Sequence, residues 1–592
     1  MKDWLRNSII VGTLVLLVAL PFMFRRDQPD DAWQSGDPVL IAISPHNEAI
    51  RSEFALAFSA WHAREYGSPV RIDWRSIGGT TEIMRYLESE FAAAFRAWAI
   101  RNNMTWPGRA ALTAFDARFT AHVEPATDTP LWHQQAALWQ AFRDHDHPHA
   151  FGSTIDLFFG GGTYDHGIAA GKGFTVPPWP EGQRPEALFT APDGTPLIPQ
   201  EVSGERWWST HFIGTCISTF GICSNRDRLQ ELGIDAPPRA WRDLADPRLF
   251  RQIGVADPTK SGSIAKAFEM IIQQECRLAA EAAGYAETDI ASFERIIANA
   301  NLPRGTMPPE VPDAYQRAIE SGWQNGLNLI RLIGANARYF TDSAGKVPID
   351  VSNGDAAAGI VIDFYGRYQA EFSRDRQGEP RMAYFTPLGG SSVSADPISL
   401  LRGAPNREIA VRFIEFVIGP EGQKLWNYRP GTPGGPQRFA LRRLPIRRDF
   451  YPAPDNHALH AIHLEHRKHS SDDLSAPSID PYQLAKTFTY YPRWTASHFG
   501  VHRNLIRAMA MDSGHELQRA WSAIRHTGPV SPPIHAPPSL LALPDQPEPL
   551  TWRSAPELHR THNRLDLMRI WTLFFRNAYR QAYDPTHAED PS

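Results

Sequence analysis

The sequence predicts an α/β fold, and three observations predict it. Residues 39 to 87, VLIAISPHNEAIRSEFALAFSAWHAREYGSPVRIDWRSIGGTTEIMRYL, read as strand, turn, helix, strand and a second helix started by glycine. The same logic returns at Val255, where VADPTKSGSIAKAFEMIIQQ gives strand, turn and helix. Between them HFIGTCISTFGICSN, from His211 to Asn225, is an apolar, β-rich run long for one strand, as expected where a chain crosses from one lobe to another.

Val39, Leu40, Ile41 and Ile43 form the apolar run of a strand buried on both faces, and Ile50, Phe54, Phe58 and Trp61 recur at helical spacing. The turn between them, Ser44-Pro45-His46-Asn47, falls at the carboxyl end of the strand, where open α/β sheets bind ligands. A helical segment rich in Trp and Ala, residues 91–150, reads as an insertion. The strand Thr154 to Phe159 then opens into Gly160-Gly161-Gly162, a turn requiring positive φ or close backbone approach. After the first crossing come a helix over Arg226 to Leu232, a strand over Ile253 to Ala256, and Ser261-Gly262-Ser263 at a helix start. Asp350 to Tyr365 supplies another strand, Tyr384 to Leu401 is the return crossing, and Ile409 to Trp426 packs back on the first lobe. Past Phe439 the chain is rich in Pro, Arg and His. Val530 to Trp552 is Pro-dense, and Ser554 and Glu557 read as a capping box for a terminal helix with Leu558, Leu565, Met568, Trp571, Phe575 and Tyr579 as its stripe.

Composition narrows the function. With 592 residues the chain can bury more than one core, and a net charge of -5 supplies no basic field for a nucleic-acid backbone. Three cysteines, Cys216, Cys223 and Cys276, are too few for a disulfide framework and read as packing. Lys2 and Arg6 precede an apolar run from Ile9 to Phe24 closed by Arg25-Arg26, which is an export signal. Lacking a small-x-small cleavage pattern, it reads as an uncleaved inner-membrane anchor over residues 1–26; cleavage would leave a secreted protein.

The ordered set formed by the first βαβα unit, Asp156-Leu157-Phe158-Phe159-Gly160-Gly161-Gly162, FGICSNRDRLQELGIDAPPRAWRDLADP, VADPTKSGS, GDAAAGIVIDFYGR and FTPLGGSSVSADPISLL resembles the type II periplasmic solute-binding proteins of ABC importers, in their ferric-iron and anion branch. The resemblance implies two α/β lobes closing by a hinge: lobe 1 over 38–210, lobe 2 over 211–383, a return to lobe 1 over 384–438, and a C-terminal extension of unread role over 439–592. It implies a periplasmic receptor whose partners are a small-molecule or ion ligand and an importer permease, with no catalytic residues.

Two helix starts, Gly79-Thr80-Thr81 and Ser261-Gly262-Ser263, offer N–H groups and hydroxyls to an anion, and on facing lobes they would clamp it. His46 and Asn47 in the first turn, Gly161 and Gly162 after the third strand, and Asp363 complete the ligand set. In the iron carriers the metal is held by a histidine, a glutamate and two tyrosines. Here His46 matches the histidine and Tyr365 the second tyrosine, while Gly161 and Phe364 stand at the other two places. The implied cargo is an anion, with Fe(III) beside a bound anion as the iron-carrier variant. His145, His147 and His149, and His457, His460, His463, His466 and His469, compete as metal sites, against a solvated face as the simpler reading. No GxSxG, HExxH or Walker A pattern occurs. The rival readings are a hydrolase acting in the interlobe cleft and a membrane-tethered ligand sensor.

Overall fold

The computed structural model describes residues 33–117, 119, 129–145, 150–300, 302, 306–524 and 537–583. The expected anchor, His147, His149 and the first part of the Pro-dense stretch lie outside them. Among the described residues no helix is long and apolar enough to cross a membrane.

In chain order the first part contains β1 (Val39–Ile43), α1 (Glu48–Tyr66), β2 (Arg71–Arg75), α2 (Thr80–Arg101), β3 (Leu157–Phe159), α3 (Thr163–Gly171), β4 (Thr175–Val176), the hairpin β5 (Glu201–Val202) and β6 (Glu205–Arg206), and β7 (Ile213–Ser218). Next come β8 (Phe220–Asn225), β9 (Ile253–Ala256), α4 (Gly262–Ala282), α5 (Asp313–Asn336), β10 (Ala337–Thr341), β11 (Ala358–Ile362), α6 (Asp363–Phe372) and β12 (Met382–Phe385). The remainder holds β13 (Ser394–Leu401), α7 (Arg407–Ile418), α8 (Pro420–Asn427), β14 (Leu444–Pro445), α9 (His457–Arg467), α10 (Phe499–Ile506), α11 (Gly514–Ile524), α12 (Ala555–Thr561) and α13 (Arg564–Tyr583).

These elements build two mixed α/β lobes, each around its own sheet. The first sheet runs β14-β7-β13-β3-β1-β2, with β4 also on β13, and the second runs β10-β9-β11-β8-β12. β1 is parallel to β2 and β3, and β9 is parallel to β10 and β11, as helical crossovers demand. The run from His211 divides into two strands, because β7 belongs to the first sheet and β8 to the second with only Thr219 between them. The chain returns between β12 and β13.

A third passage joins the lobes. Leu484 and Ala485 pack in the first core, whereas Phe488, Tyr490, Trp494, Val501, Trp521, Trp571 and Tyr579 pack in the second. Residues beyond Phe439 are therefore part of both cores. Their entry is pinned by Glu53 of α1, a buried carboxylate that accepts N–H bonds from Gln437, Arg438 and Phe439 at 2.6, 2.7 and 2.9 Å.

Several local expectations change. α2 runs unbroken across residue 91, so the helical segment starts inside an existing helix. Asp350 lies on a helix, Lys346–Asn353, and the strand is confined to Ala358–Ile362. Gly419-Pro420 splits the helix expected over Ile409 to Trp426, since proline at the first turn starts a new one. The capping box is absent: the Ser554 hydroxyl donates to Pro549 O at 2.6 Å, and the terminal helix is broken into α12 and α13, leaving Leu565 74% exposed. The histidine-rich helix α9 is a solvated face only in part, with His457 exposed. His463 and His466 are buried, His466 stacked on Phe450 at 3.7 Å and bonded to the Tyr428 hydroxyl at 2.6 Å, and His463 Nδ1 lies 2.8 Å from Phe450 O.

The cysteines are free and buried. Burial pushes their thiols up, that of Cys223 to about 12. All three are expected to resist a thiol reagent in the native protein at pH 8 and to react together once it is denatured, measured as labelled mass against time. Fast native labelling of any one would contradict this packing.

Candidate functional site

The hinge between the lobes gathers a buried cluster. Asn47 caps α1, its Oδ1 accepting from Ile50 N at 3.1 Å, which commits that side chain to the helix. His46 beside it is buried, with Nε2 3.5 Å from Asp396 Oδ2 and its ring edge-on to Phe159 at 4.6 Å. Gly160, at φ 96°, makes room for that ring: a Cβ there would lie 2.6 Å from it. Burial lowers the His46 pKa against the pull of Asp396, so the ring is neutral at physiological pH.

Asp396 sits on β13 at a register shift, before Pro397. Arg443 Nη1 approaches its Oδ2 at 2.5 Å, and Arg443 Nη2 donates to Ser218 Oγ at 2.5 Å. Burial alone would raise the Asp396 carboxyl; Arg443, helped by His46, holds it down at about 2. The guanidinium lies 4.4 Å from the centre of the Phe364 ring and 5.5 Å from that of Trp426. Tyr365, on the first turn of α6, has its hydroxyl pushed up by burial, with Arg443 and Asp396 as the charges it feels. Asp363 is fully buried, and Arg367 Nη2 stands 3.1 Å from it.

The two helix starts meet at the interface of the lobes. Gly79 precedes α2, and Ser261 caps α4 by accepting from Ile264 N at 3.3 Å, with its hydroxyl 3.2 Å from that of Ser263. A Cβ on Gly79 would lie 2.7 Å from Lys260 O, and one on Gly262 would lie 3.1 Å from Thr80 Oγ1. Thr81 Oγ1 donates to Thr259 O at 3.4 Å. Gly161, at φ 102°, passes so close to Thr80 that a Cβ would meet its methyl at 2.4 Å, and Gly162 precedes α3. Asp165, in the first turn of α3, is buried here, with Oδ2 3.6 Å from the Cβ position of Gly262. Burial raises its pKa, with Thr80 and Arg503 drawing it back.

Arg503 of α10 stitches the same seam: Nη2 donates to Thr81 Oγ1 at 2.6 Å and to Thr259 O at 3.0 Å, and Nε to Pro258 O at 2.7 Å. Thus His46 and Tyr365 lie near one ion pair, Thr80 and Gly262 lie beside the Asp165 carboxyl, and Gly79, Thr81, Gly161, Gly162, Ser261 and Ser263 belong to the two helix starts and the glycine turn that meet at the same seam. The sequence alone assigns no role to Asp165, Asp396, Arg443 or Arg503. Asp-Pro within a strand was the available signal for Asp396; nothing local marks either arginine.

The Arg443 guanidinium is among the charges that both His46 and Tyr365 feel. Among the described residues no group of three His, Cys, Asp or Glu side chains is arranged to hold a metal.

Residues 185–450 match the family model of bacterial extracellular solute-binding proteins. The putrescine/agmatine-binding protein of Pseudomonas aeruginosa is 27% identical over 222 residues, 37% of this chain and 50% of that protein. The chain spans about half the length of the curated relatives it matches. Among solved structures, the periplasmic binding protein AfuA of Actinobacillus pleuropneumoniae, with exogenous fructose-6-phosphate bound, superposes with a TM-score of 0.41 at 15% identity, over 76% of this chain and 95% of that one. Iron-bound HitA of Pseudomonas aeruginosa gives 0.36 at 15% identity, over 76% and 98%. Values this low leave the bound groups with those proteins. Over residues 185–450, therefore, the chain is similar to the bacterial extracellular solute-binding proteins.

Proposed function

We propose that this chain is the solute-binding receptor of an ABC importer, that it takes a small anion between its lobes, and that it does no covalent chemistry. The observation that carries the reading is the meeting of α2 and α4, N-terminus to N-terminus, at the seam between the two lobes. Each helix start brings the positive end of a dipole and first-turn N–H groups that have no partner within the helix, so the spot favours negative charge. The chain's own carboxyl at Asp165 rests there. When the lobes part, a solute anion takes the place of Asp165, and closure adds the second helix start only in the bound state, which shifts the population toward the closed form. The expected Ile9 to Phe24 anchor would hold the receptor at the periplasmic face of the inner membrane, next to its permease. Direct capture of ferric iron is not part of this reading.

Asp165→Asn tests it. Removing one negative charge from the seat of the anion is expected to tighten binding of an anionic solute about tenfold, about 1.4 kcal/mol. The variant is also expected to melt higher at pH 7. Because burial raises the Asp165 pKa above 3.8, the stability penalty of its ionised form is absent below that value and grows as pH rises through the folded pKa, so the gain should vanish in acid. The readouts are native mass spectrometry of gently purified protein, for the co-purified solute, and calorimetric titration with inorganic phosphate and carboxylic acids. A metal-loaded, anion-free protein, or weaker anion binding in Asp165→Asn, would sink the reading.

A further inference from the structure

We infer that Arg443 is a built-in cation of the hinge site: the guanidinium, delivered at the entry to β14, fills the place a cationic cargo would take among His46, Asp396 and Tyr365. Two buried ion pairs already stand there. Asp396 faces Arg443 at 2.5 Å and Asp363 faces Arg367 at 3.1 Å, so two carboxylates meet two guanidiniums and a further cation would stand against a fixed like charge. The fit is specific as well as neutral. Arg443 is 1% exposed, its Nη2 is spent on Ser218 Oγ at 2.5 Å, and its plane is walled by the rings of Phe364 and Trp426. Asp396 Oδ1 and His46 Nδ1 are buried without a hydrogen-bond partner among the described residues, a donor set that draws a cation and receives one from within the chain. The consequence goes beyond the proposed receptor role. Whatever solute the lobes take, the hinge holds no metal, and the segment that carries β14 is the ligand that completes it.

The experiment uses the full-length protein and small guanidinium compounds as stand-ins for the missing side chain. Wild type, incubated with ferric citrate and desalted, is expected to retain no iron and to show no visible tyrosinate-to-iron absorption band. Arg443→Ala is expected to melt well below wild type and to regain several degrees in millimolar aminoguanidine, which should leave wild type unmoved. Arg443→Lys, which keeps the charge without the fork, should fall between the two and ignore the additive. If Arg443→Ala fails to accumulate, its refolding yield with and without aminoguanidine gives the same comparison. Iron retained by wild type with a tyrosinate band, or an Arg443→Ala protein indifferent to aminoguanidine, would overturn the inference. Failure of the anion reading would leave these results unchanged, so the two are separable.

Discussion

Replacing Lys266 with methionine is expected to cost about 3–5 kcal/mol, because it strands two buried carboxylates. Lys266 Nζ lies 2.8 Å from Glu205 Oε1 and 2.9 Å from Glu269 Oε2, with the acids only 4% and 2% exposed and the Tyr490 ring 3.9 Å from the ammonium. The remaining lone pairs are met by hydroxyls. Ser392 donates to Glu205 at 2.6 Å, and Tyr490 and Thr495 donate to Glu269 at 2.8 and 2.6 Å. Glu205 belongs to the first lobe, Lys266 and Glu269 to α4 of the second, Ser392 to the return crossing, and Tyr490 and Thr495 to the third passage. One ammonium therefore fastens four parts of the chain. Burial alone would lower its pKa, but the two carboxylates outweigh that and raise it well above 10.5. The stabilisation is thus fully present below pH 10.5 and is lost only as pH rises through the higher folded value. The melting temperature of wild type minus that of Lys266→Met should be large and constant from pH 6 to 10. A double-mutant cycle with Glu205→Gln is expected to show strong coupling; additive losses, or a Lys266→Met loss under about 1 kcal/mol, would show that the network is not the fastening described.

What the sequence made legible follows from how local each signal is. The strand Ile253–Ala256, the Ser261 cap and the turn that carries His46 rest on short-range patterns, and the chain builds them where those patterns stand. The splitting of the run from His211 into β7 and β8 depends on which sheet each half joins, a choice made by partners more than 130 residues away. Arg443 and Arg503 were beyond reach for the same reason. Arg443 meets Ser218 across 225 positions and Arg503 meets Thr81 across 422, so nothing near either arginine announces its role. The histidines of α9 mislead in the opposite direction: their spacing looks like a polar face until Phe450 and Tyr428 arrive from outside the helix to bury two of them. Ser554 and Glu557 satisfy a capping pattern in sequence, yet Pro549 takes the serine hydroxyl.

Ending the chain at Ala485 is expected to abolish the folded second lobe. Trp494, Trp521 and Trp571 are fully buried in its core, together with Val501, Leu505 and Phe575, all from beyond Ala485. Removing a single aromatic of this kind typically costs about 3–5 kcal/mol, so losing the set exceeds the whole stability of about 5–15 kcal/mol typical of a domain. The faces of α4 and α5 would stand open, and the truncated protein should be insoluble or cut rapidly by protease between β8 and β12. A monomeric truncated chain that melts cooperatively near wild type would refute the shared core. A gentler change tests the passage itself. Gly204, at φ 80° in the hairpin β5–β6, lies so close to the third passage that a Cβ would stand 1.9 Å from Tyr490 O, beside the bond from Tyr490 N to Ser203 O at 2.8 Å. Both the backbone conformation and the contact exclude a side chain, and the obstacle is backbone, which cannot swing aside. Gly204→Ala is therefore expected to lower stability by about 3 kcal/mol or more and to loosen the passage first, seen as faster amide exchange at residues 486–495 than in β1 and β2. Two crossings make a hinge; a third, running through the hairpin of one lobe into the core of the other, limits how far it can open. If the lobes of Gly204→Ala exchange more freely than those of wild type, the third passage restrains the hinge.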